Sequence, residues 1–85
     1  MTYELHYINK KNEKVVKTFT DKMYVLYEIK DTLREDTARD EVQLYVITNK
    51  TCGFGDFETE KTLIARHYMD VMNLSEKEIR YKCNL

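Results

Sequence analysis

The chain has 85 residues, a length that suits one small domain spanning residues 1–85. Hydrophobic residues make up 42% of the chain, charged residues make up 34%, and the formal net charge is −1. This balance excludes a disordered chain and a strongly basic, histone-like protein. The core of so short a chain leaves little room for a large pocket. We therefore expect function at a surface, at a loop or at an interface between copies.

The first 20 residues predict a β-hairpin. In TYELHYI, Tyr3, Leu5 and Tyr7 recur with a period of two, which is typical of a strand with one buried face. The polar stretch NKKNEK that follows predicts a turn. The stretch VVKTFT is rich in β-branched residues and predicts the return strand, so the hairpin covers residues 2–20.

The next segment, TDKMYVLYEIKDTLRED, changes to helical spacing. Thr20 or Asp21 is the predicted N-cap, because either side-chain oxygen can accept an unpaired amide of the first turn. The charged segment 34–41 is predicted to be a connection. The residues at helical spacing are Met23, Leu26, Tyr27, Lys30 and Leu33, with Tyr24 alongside.

The segment EVQLYVITN predicts a central strand, because both of its faces are apolar. Val42, Leu44 and Val46 share one face, and Tyr45 and Ile47 share the other. The later segment ETEKTLIARHYMDVMN predicts an amphipathic helix, since its apolar residues repeat at intervals of three and four. Those residues are Leu63, Ile64, His67, Tyr68, Val71 and Met72.

Two interpretations are open for residues 76–85. Ile79, Tyr81 and Cys83 alternate with charged residues, which favours a last strand. Ser75 and Glu78 fit a capping box, which would start a short helix instead. With the strand, the order is β-β-α-β-α-β. The predicted fold class is then α+β, a mixed four-stranded sheet with two helices on one face and the second helix as a right-handed crossover.

The stretch NKTCGFGDFETEK holds both glycines and sits where phosphate-binding loops sit, between a predicted strand and a predicted helix. Gly53 and Gly55 match the start of a dinucleotide fingerprint, but Glu58 occupies the third position. Asp56, Glu58 and Glu60 would suit the positive end of a helix dipole and would repel a phosphate. We therefore expect a capped turn and no nucleotide cofactor.

Phe54 and Phe57 flank this turn. Either they fold back against the edge of the core, or they form an exposed aromatic anchor for a partner, since binding energy concentrates in such residues.

Metal binding and catalysis have weak support in the sequence. Cys52, His67 and Cys83, with His6 as a fourth ligand, could hold zinc in principle, but no pair has the close spacing of structural zinc sites. His67 is predicted to pack on the apolar face of its helix. The carboxylates lie in predicted solvated faces and turns, where no general acid or base is expected. The sequence predicts no metal, no catalytic residue and no enzyme.

The first hairpin is basic, whereas the stretch EDTARDE is acidic. Lys10, Lys11, Lys14 and Lys17 could contact an RNA backbone, with Tyr7 near a base. Alternatively, the lysines protect an exposed sheet edge from pairing with another chain. Opposite charges and an unpaired outer strand also favour docking on a partner or on a second copy.

The location is predicted from two absences. The N-terminal MTYELHYINKK lacks the hydrophobic core of a signal peptide, and no stretch approaches the roughly 20 apolar residues that span a bilayer. Cys52 and Cys83 form no spaced pair and are expected to be reduced thiols. We expect a cytoplasmic protein with no membrane partner.

A compact chain rich in tyrosine and lysine and without proline resembles the small early proteins of T4-like phages that neutralise host defences, including inhibitors of toxin–antitoxin systems. The resemblance covers the whole length, rests on no motif and implies no functional residue. The leading hypothesis is a non-enzymatic binding protein that inhibits or modulates a macromolecular partner, most simply a protein. The alternatives are an RNA-binding module that uses the basic hairpin and a homo-oligomeric structural protein.

Overall fold

The structure is a computed structural model that describes residues 1–52 and 56–83, with the backbone alone for residues 50–52, 56 and 57. The described residues form one four-stranded sheet and three helices, so the predicted α+β class is confirmed. The elements are β1 (Thr2–Ile8), β2 (Lys14–Thr20), α1 (Val25–Asp36), β3 (Glu41–Cys52), β4 (Asp56–His67), α2 (Tyr68–Met72) and α3 (Glu76–Lys82).

The strands lie in the order β2-β1-β3-β4, and every neighbouring pair is antiparallel. The predicted hairpin over residues 2–20 is confirmed, with Thr2 opposite Thr20 and Ile8 opposite Lys14. β1 and β3 are the central strands, and β2 and β4 are the two edges. A crossover helix joins parallel strands, whereas β3 and β4 are antiparallel neighbours, so no crossover helix joins them. Every pair of strands in the described sheet is antiparallel, and the predicted mixture of parallel and antiparallel pairs is not found.

The hydrophobic core lies between one face of the sheet and the helices. Tyr3, Leu5 and Tyr7 of β1 are buried as the alternation predicted. On β3, whose two faces are both apolar, the face of Val42, Leu44 and Val46 is the buried one. On the other face Tyr45 and Ile47 are half-buried, and this open face of the sheet meets solvent. The remaining core residues are Val25, Leu26, Ile29, Leu33, Ile64, Ala65, Val71, Leu74 and Ile79.

The helix α1 begins later than the sequence predicts. Neither Thr20 nor Asp21 is its N-cap, because β2 continues to Thr20. The N-cap is Tyr24, which makes no side-chain capping hydrogen bond and has a left-handed backbone. Val25 starts the helix, and its last residue, Asp36, lies inside the segment predicted as a connection.

The helix predicted over ETEKTLIARHYMDVMN is wrong, since this segment forms β4 and the short α2. Leu44 lies opposite Ala65 and Tyr45 lies opposite Leu63, so Ile64 is an extra residue and the strand is bulged there. Ile64 and Ala65 are both buried. Two consecutive buried residues break the period of two, which is why the segment resembles a helix.

The predicted last strand is also wrong, and the alternative of a short helix that begins after Ser75 is confirmed. The Ser75 hydroxyl accepts a hydrogen bond of 3.3 Å from the backbone N–H of Glu78, which satisfies one amide of the first turn of α3. Acidic residues lie in that turn and basic residues in the last, as the helix dipole favours. Lys82 of α3 donates to the carbonyl oxygen of Ile64 at 2.9 Å, which ties this helix to the bulge in β4.

Candidate functional site

The four lysines of the predicted RNA site are all exposed. Lys10 and Lys11 lie in the turn of the first hairpin, which the side chain of Asn9 stabilises. The Asn9 Oδ1 atom accepts from the backbone N–H groups of Lys11 and Glu13 at 3.0 and 2.9 Å. Asn12 adopts the left-handed backbone that asparagine tolerates, with a φ of 63°. The turn therefore projects its cations from a fixed backbone.

The other two lysines point to opposite sides of the sheet. Lys14 lies opposite Ile8 on the open face, and Lys17 lies opposite Leu5 on the face that carries the helices. The structure therefore places cations on both sides of strand β2 rather than on one surface. Within residues 1–52 and 56–83, none of the four lysines forms an ion pair.

Tyr7 does not have the role predicted for it. Its ring is 3% exposed, and its hydroxyl donates a hydrogen bond of 2.7 Å to Asp36 Oδ2 at the end of α1. Burial, followed by the hydrogen bond to Asp36 and the charge of that carboxylate, raises the pKa of Tyr7 to about 12. Tyr7 is therefore a core residue that joins β1 to α1, and its face is not free to stack on a base. RNA binding by the lysines stays a prediction.

The structure describes only part of the glycine stretch, and neither phenylalanine side chain. Residues 53–55, including Phe54, lie outside the described residues, and Phe57 is described by its backbone alone. Cys52 pairs with Asp56, the first residue of β4, so a strand and not a helix follows the glycines. The acidic residues at positions 56, 58 and 60 therefore lie in a strand and not at the positive end of a helix dipole.

The candidate metal ligands are spread across the fold. His67 is exposed at the end of β4, opposite Glu41, and does not lie on an apolar helix face. Cys52 lies 11 positions further along β3 than Glu41, which is about 36 Å in a strand. Cys83 caps the end of α3, and His6 lies on the open face. Among the described residues, no three histidine, cysteine or acidic side chains cluster closely enough to hold a metal ion.

A polar cluster that sequence reasoning missed lies on the open face. Lys61 Nζ is 2.7 Å from Glu4 Oε1 and 4.3 Å from the centroid of the Tyr45 ring. His6 Nε2 contacts the same Glu4 oxygen and meets Tyr45 edge to face, with ring centroids 5.1 Å apart. Glu4 and Lys61 are 57 residues apart in sequence, so only the strand order could bring them together.

Because of this cluster, we expect the free energy of unfolding to change with pH in the acid range. Hydrogen bonds from Lys61 and then from His6 lower the pKa of Glu4 below its ordinary 4.5. Because the folded-state pKa lies below the unfolded one, the contribution of Glu4 is complete above pH 4.5 and is lost as the pH falls through the folded pKa. We expect Lys61→Met to lower the free energy of unfolding at pH 7, and to lower it by progressively less as the pH falls below 4.5, measured by urea unfolding. Lys14→Met removes a lysine with no ion pair, so its effect on the free energy of unfolding should be the same at pH 7 and at acid pH.

Three exposed, largely apolar residues lie close together in the sequence at the start of α1. We call Met23, Tyr24 and Tyr27 the α1 patch; their side chains are 77%, 63% and 66% exposed. The rings of Tyr24 and Tyr27 are 6.2 Å apart. Shallow grooves of about 350 and 310 Å³ border the patch, one lined by Met23 and the other by Tyr27, and both include Leu26 and Glu76.

The backbone at Tyr24 is strained. Its φ is 69°, in the left-handed region that glycine and asparagine adopt easily and bulky residues avoid. A left-handed backbone costs a residue with a Cβ about 1–2 kcal/mol. Because the ring is exposed and adds little to the core, the strain is not offset by packing there, and such outliers cluster at functional sites.

No helix among the described residues has the length and apolar character needed to cross a membrane. No known protein family matches the chain, and comparisons with curated proteins and with solved structures gave no match either.

Proposed function

We propose that this chain is a non-enzymatic protein that binds and modulates a macromolecular partner, and that the α1 patch binds that partner, a protein. The observation that carries the proposal is the exposed pair of tyrosines next to Met23, with Tyr24 in a strained backbone. Tyrosine and methionine are enriched in protein interfaces, and tyrosine is among the residues that dominate their binding energy.

The surroundings of the patch favour a protein over a nucleic acid. The two grooves carry charges of both signs: the cations Lys22, Lys30 and Arg80 lie with the anions Asp21 and Glu76. An apolar centre with a rim of mixed polarity is typical of protein interfaces. A phosphate backbone would instead favour a surface of one positive sign.

The proposal includes a cytoplasmic location and, from the resemblance to small early phage proteins, a partner in a defence or toxin system of a bacterial host. Cys83 carries a free thiol, which fits a reducing compartment.

Affinity capture from a bacterial lysate tests the proposal, with nuclease treatment in one arm. The wild-type chain should retain a protein in both arms. A variant with Met23, Tyr24 and Tyr27 changed to serine should retain at least tenfold less, because loss of one interface hot spot costs about 2 kcal/mol or more. The control variant changes Met69 and Tyr81, which are 58% and 87% exposed and line neither groove, and should retain the wild-type amount.

Three results would contradict the proposal. Equal capture by the serine variant would show that the α1 patch is not the binding surface. Capture that nuclease abolishes would favour the RNA-binding alternative. A doubled mass in light scattering with no captured protein would favour the homo-oligomeric alternative.

A further inference from the structure

The outer edge of β2 presents unpaired backbone groups. Asn9 N–H donates to the carbonyl of Glu13 at 2.9 Å, and Asp21 N–H donates to the carbonyl of Met1 at 3.1 Å. In an antiparallel ladder, bonded pairs alternate with non-bonded pairs, so the odd-numbered residues of β2 bond to β1. The even-numbered residues turn their N–H and C=O groups outward. These residues are Lys14, Val16, Thr18 and Thr20.

Nothing in the described part of the chain covers this edge. β2 is the outermost strand, and no hydrogen bond from residues 1–52 or 56–83 reaches the backbone of these even-numbered residues. Val16, at the middle of the strand, is 58% exposed. An exposed strand edge of this kind is a template for another extended chain, which pairs with it through main-chain hydrogen bonds.

The charges beside the edge indicate which chain would pair with it. Lys14 and Lys17 lie on opposite faces of the sheet, and Lys10 and Lys11 follow at the turn. An added strand directs alternate side chains to opposite faces. Acidic residues three positions apart on that strand would therefore meet Lys14 on one face and Lys17 on the other, at the short distances of cross-strand neighbours.

We propose that the outer edge of β2 binds an extended acidic segment of a protein as a fifth strand. The surface is separate from the α1 patch, so the inference goes beyond the proposed function. A protein strand fits better than a nucleic acid for two reasons. The edge alternates donors and acceptors as a strand requires, and the lysines flank the plane of the sheet instead of forming one positive surface.

The probe for the test is a labelled nine-residue peptide of alternating valine and threonine, with two glutamates three positions apart. We expect saturable binding by fluorescence anisotropy at low salt, with amide shifts at Val16 and Thr18. Changing Lys14 and Lys17 to glutamate should weaken binding of this peptide at least tenfold. The same variant should bind a lysine version of the peptide more tightly than the wild-type chain does.

A proline substitution separates strand pairing from simple charge attraction. Val16→Pro removes an outward N–H and leaves the ladder to β1 intact, because Val16 sits opposite His6 in a non-bonded pair. We expect at least tenfold weaker peptide binding with all lysines present. As a measurement that needs no variant, N-methylation of the alternate peptide amides that face the edge should abolish binding, and methylation of the other set should not.

Three outcomes would overturn the inference. The first is peptide binding that survives N-methylation of both sets of amides, each set tested in turn. The second is no saturable binding at low salt. The third is a single-stranded oligouridine that displaces the peptide and binds the Val16→Pro variant as tightly as the wild type. The variant with a serine-substituted α1 patch should bind the peptide normally, so this proposal and the proposed function can fail independently.

Discussion

Leu44→Ala is expected to lower the free energy of unfolding by about 2–5 kcal/mol, the usual cost of removing a buried leucine side chain and leaving a cavity. Leu44 is fully buried in the central strand β3 and belongs to the core that joins the sheet to the helices. Small domains have a total stability of only about 5–15 kcal/mol, so the variant should unfold at a much lower urea concentration.

Leu63→Ala is the matched control for Leu44→Ala. Leu63 lies on the neighbouring strand, opposite Tyr45 on the open face, and is only half-buried. The same substitution should cost no more than about 1 kcal/mol there, since less apolar surface is lost from the folded state. An equal loss in the free energy of unfolding at both positions would mean that the open face is covered in solution. Light scattering would then test whether a second copy of the chain covers it.

Ile79→Ala should have a comparable effect, about 2–5 kcal/mol, because Ile79 is the buried residue of α3. Tyr81→Ala, two positions later on the same helix, should change the stability by no more than about 0.5 kcal/mol, since Tyr81 is 87% exposed. Urea unfolding of both variants measures the difference.

This pair of variants also decides how residues 76–82 fold. In a strand, Ile79 and Tyr81 would share one face and lose similar stability on truncation. In a helix they are two residues apart and do not share a face. Similar losses at the two positions would therefore contradict α3.

The first three strands could be predicted because each carries a strand signal in its sequence: a period of two in β1, β-branched residues in β2, and apolar residues on both faces in β3. Tyr3, Leu5 and Tyr7 face the core, and so do Leu44 and its neighbours in β3. Successive side chains in these two strands point alternately to the covered face and to the open face of the sheet. The two-residue period in the sequence therefore carries the structural information.

The fourth strand could not be predicted from the same signal. The bulge at Ile64 puts Ile64 and Ala65 in the core side by side, and the next buried residue, Val71, belongs to a different element. A bulge is stabilised by contacts with the rest of the fold, here including the Lys82 ammonium on the Ile64 carbonyl. Local sequence does not contain that information.

The candidate site was hidden for a related reason. The α1 segment has more apolar residues than one helix face can bury, and the sequence alone does not say which set faces the core. The prediction placed Met23 and Tyr27 in the helical repeat, whereas the structure exposes both and buries Val25 and Ile29. The surplus apolar residues are the α1 patch. The signal available in the sequence was that this segment has more apolar residues than one face of a helix can bury.

The left-handed backbone of Tyr24 has a consequence for evolution. A chain selected only for its fold would gain stability by placing glycine at this position, since glycine adopts a φ of 69° without a steric penalty. A tyrosine there opposes that drift. Among any descendants of this chain, an aromatic residue at position 24 would mark lineages that still need the surface, and glycine would mark lineages that have abandoned it.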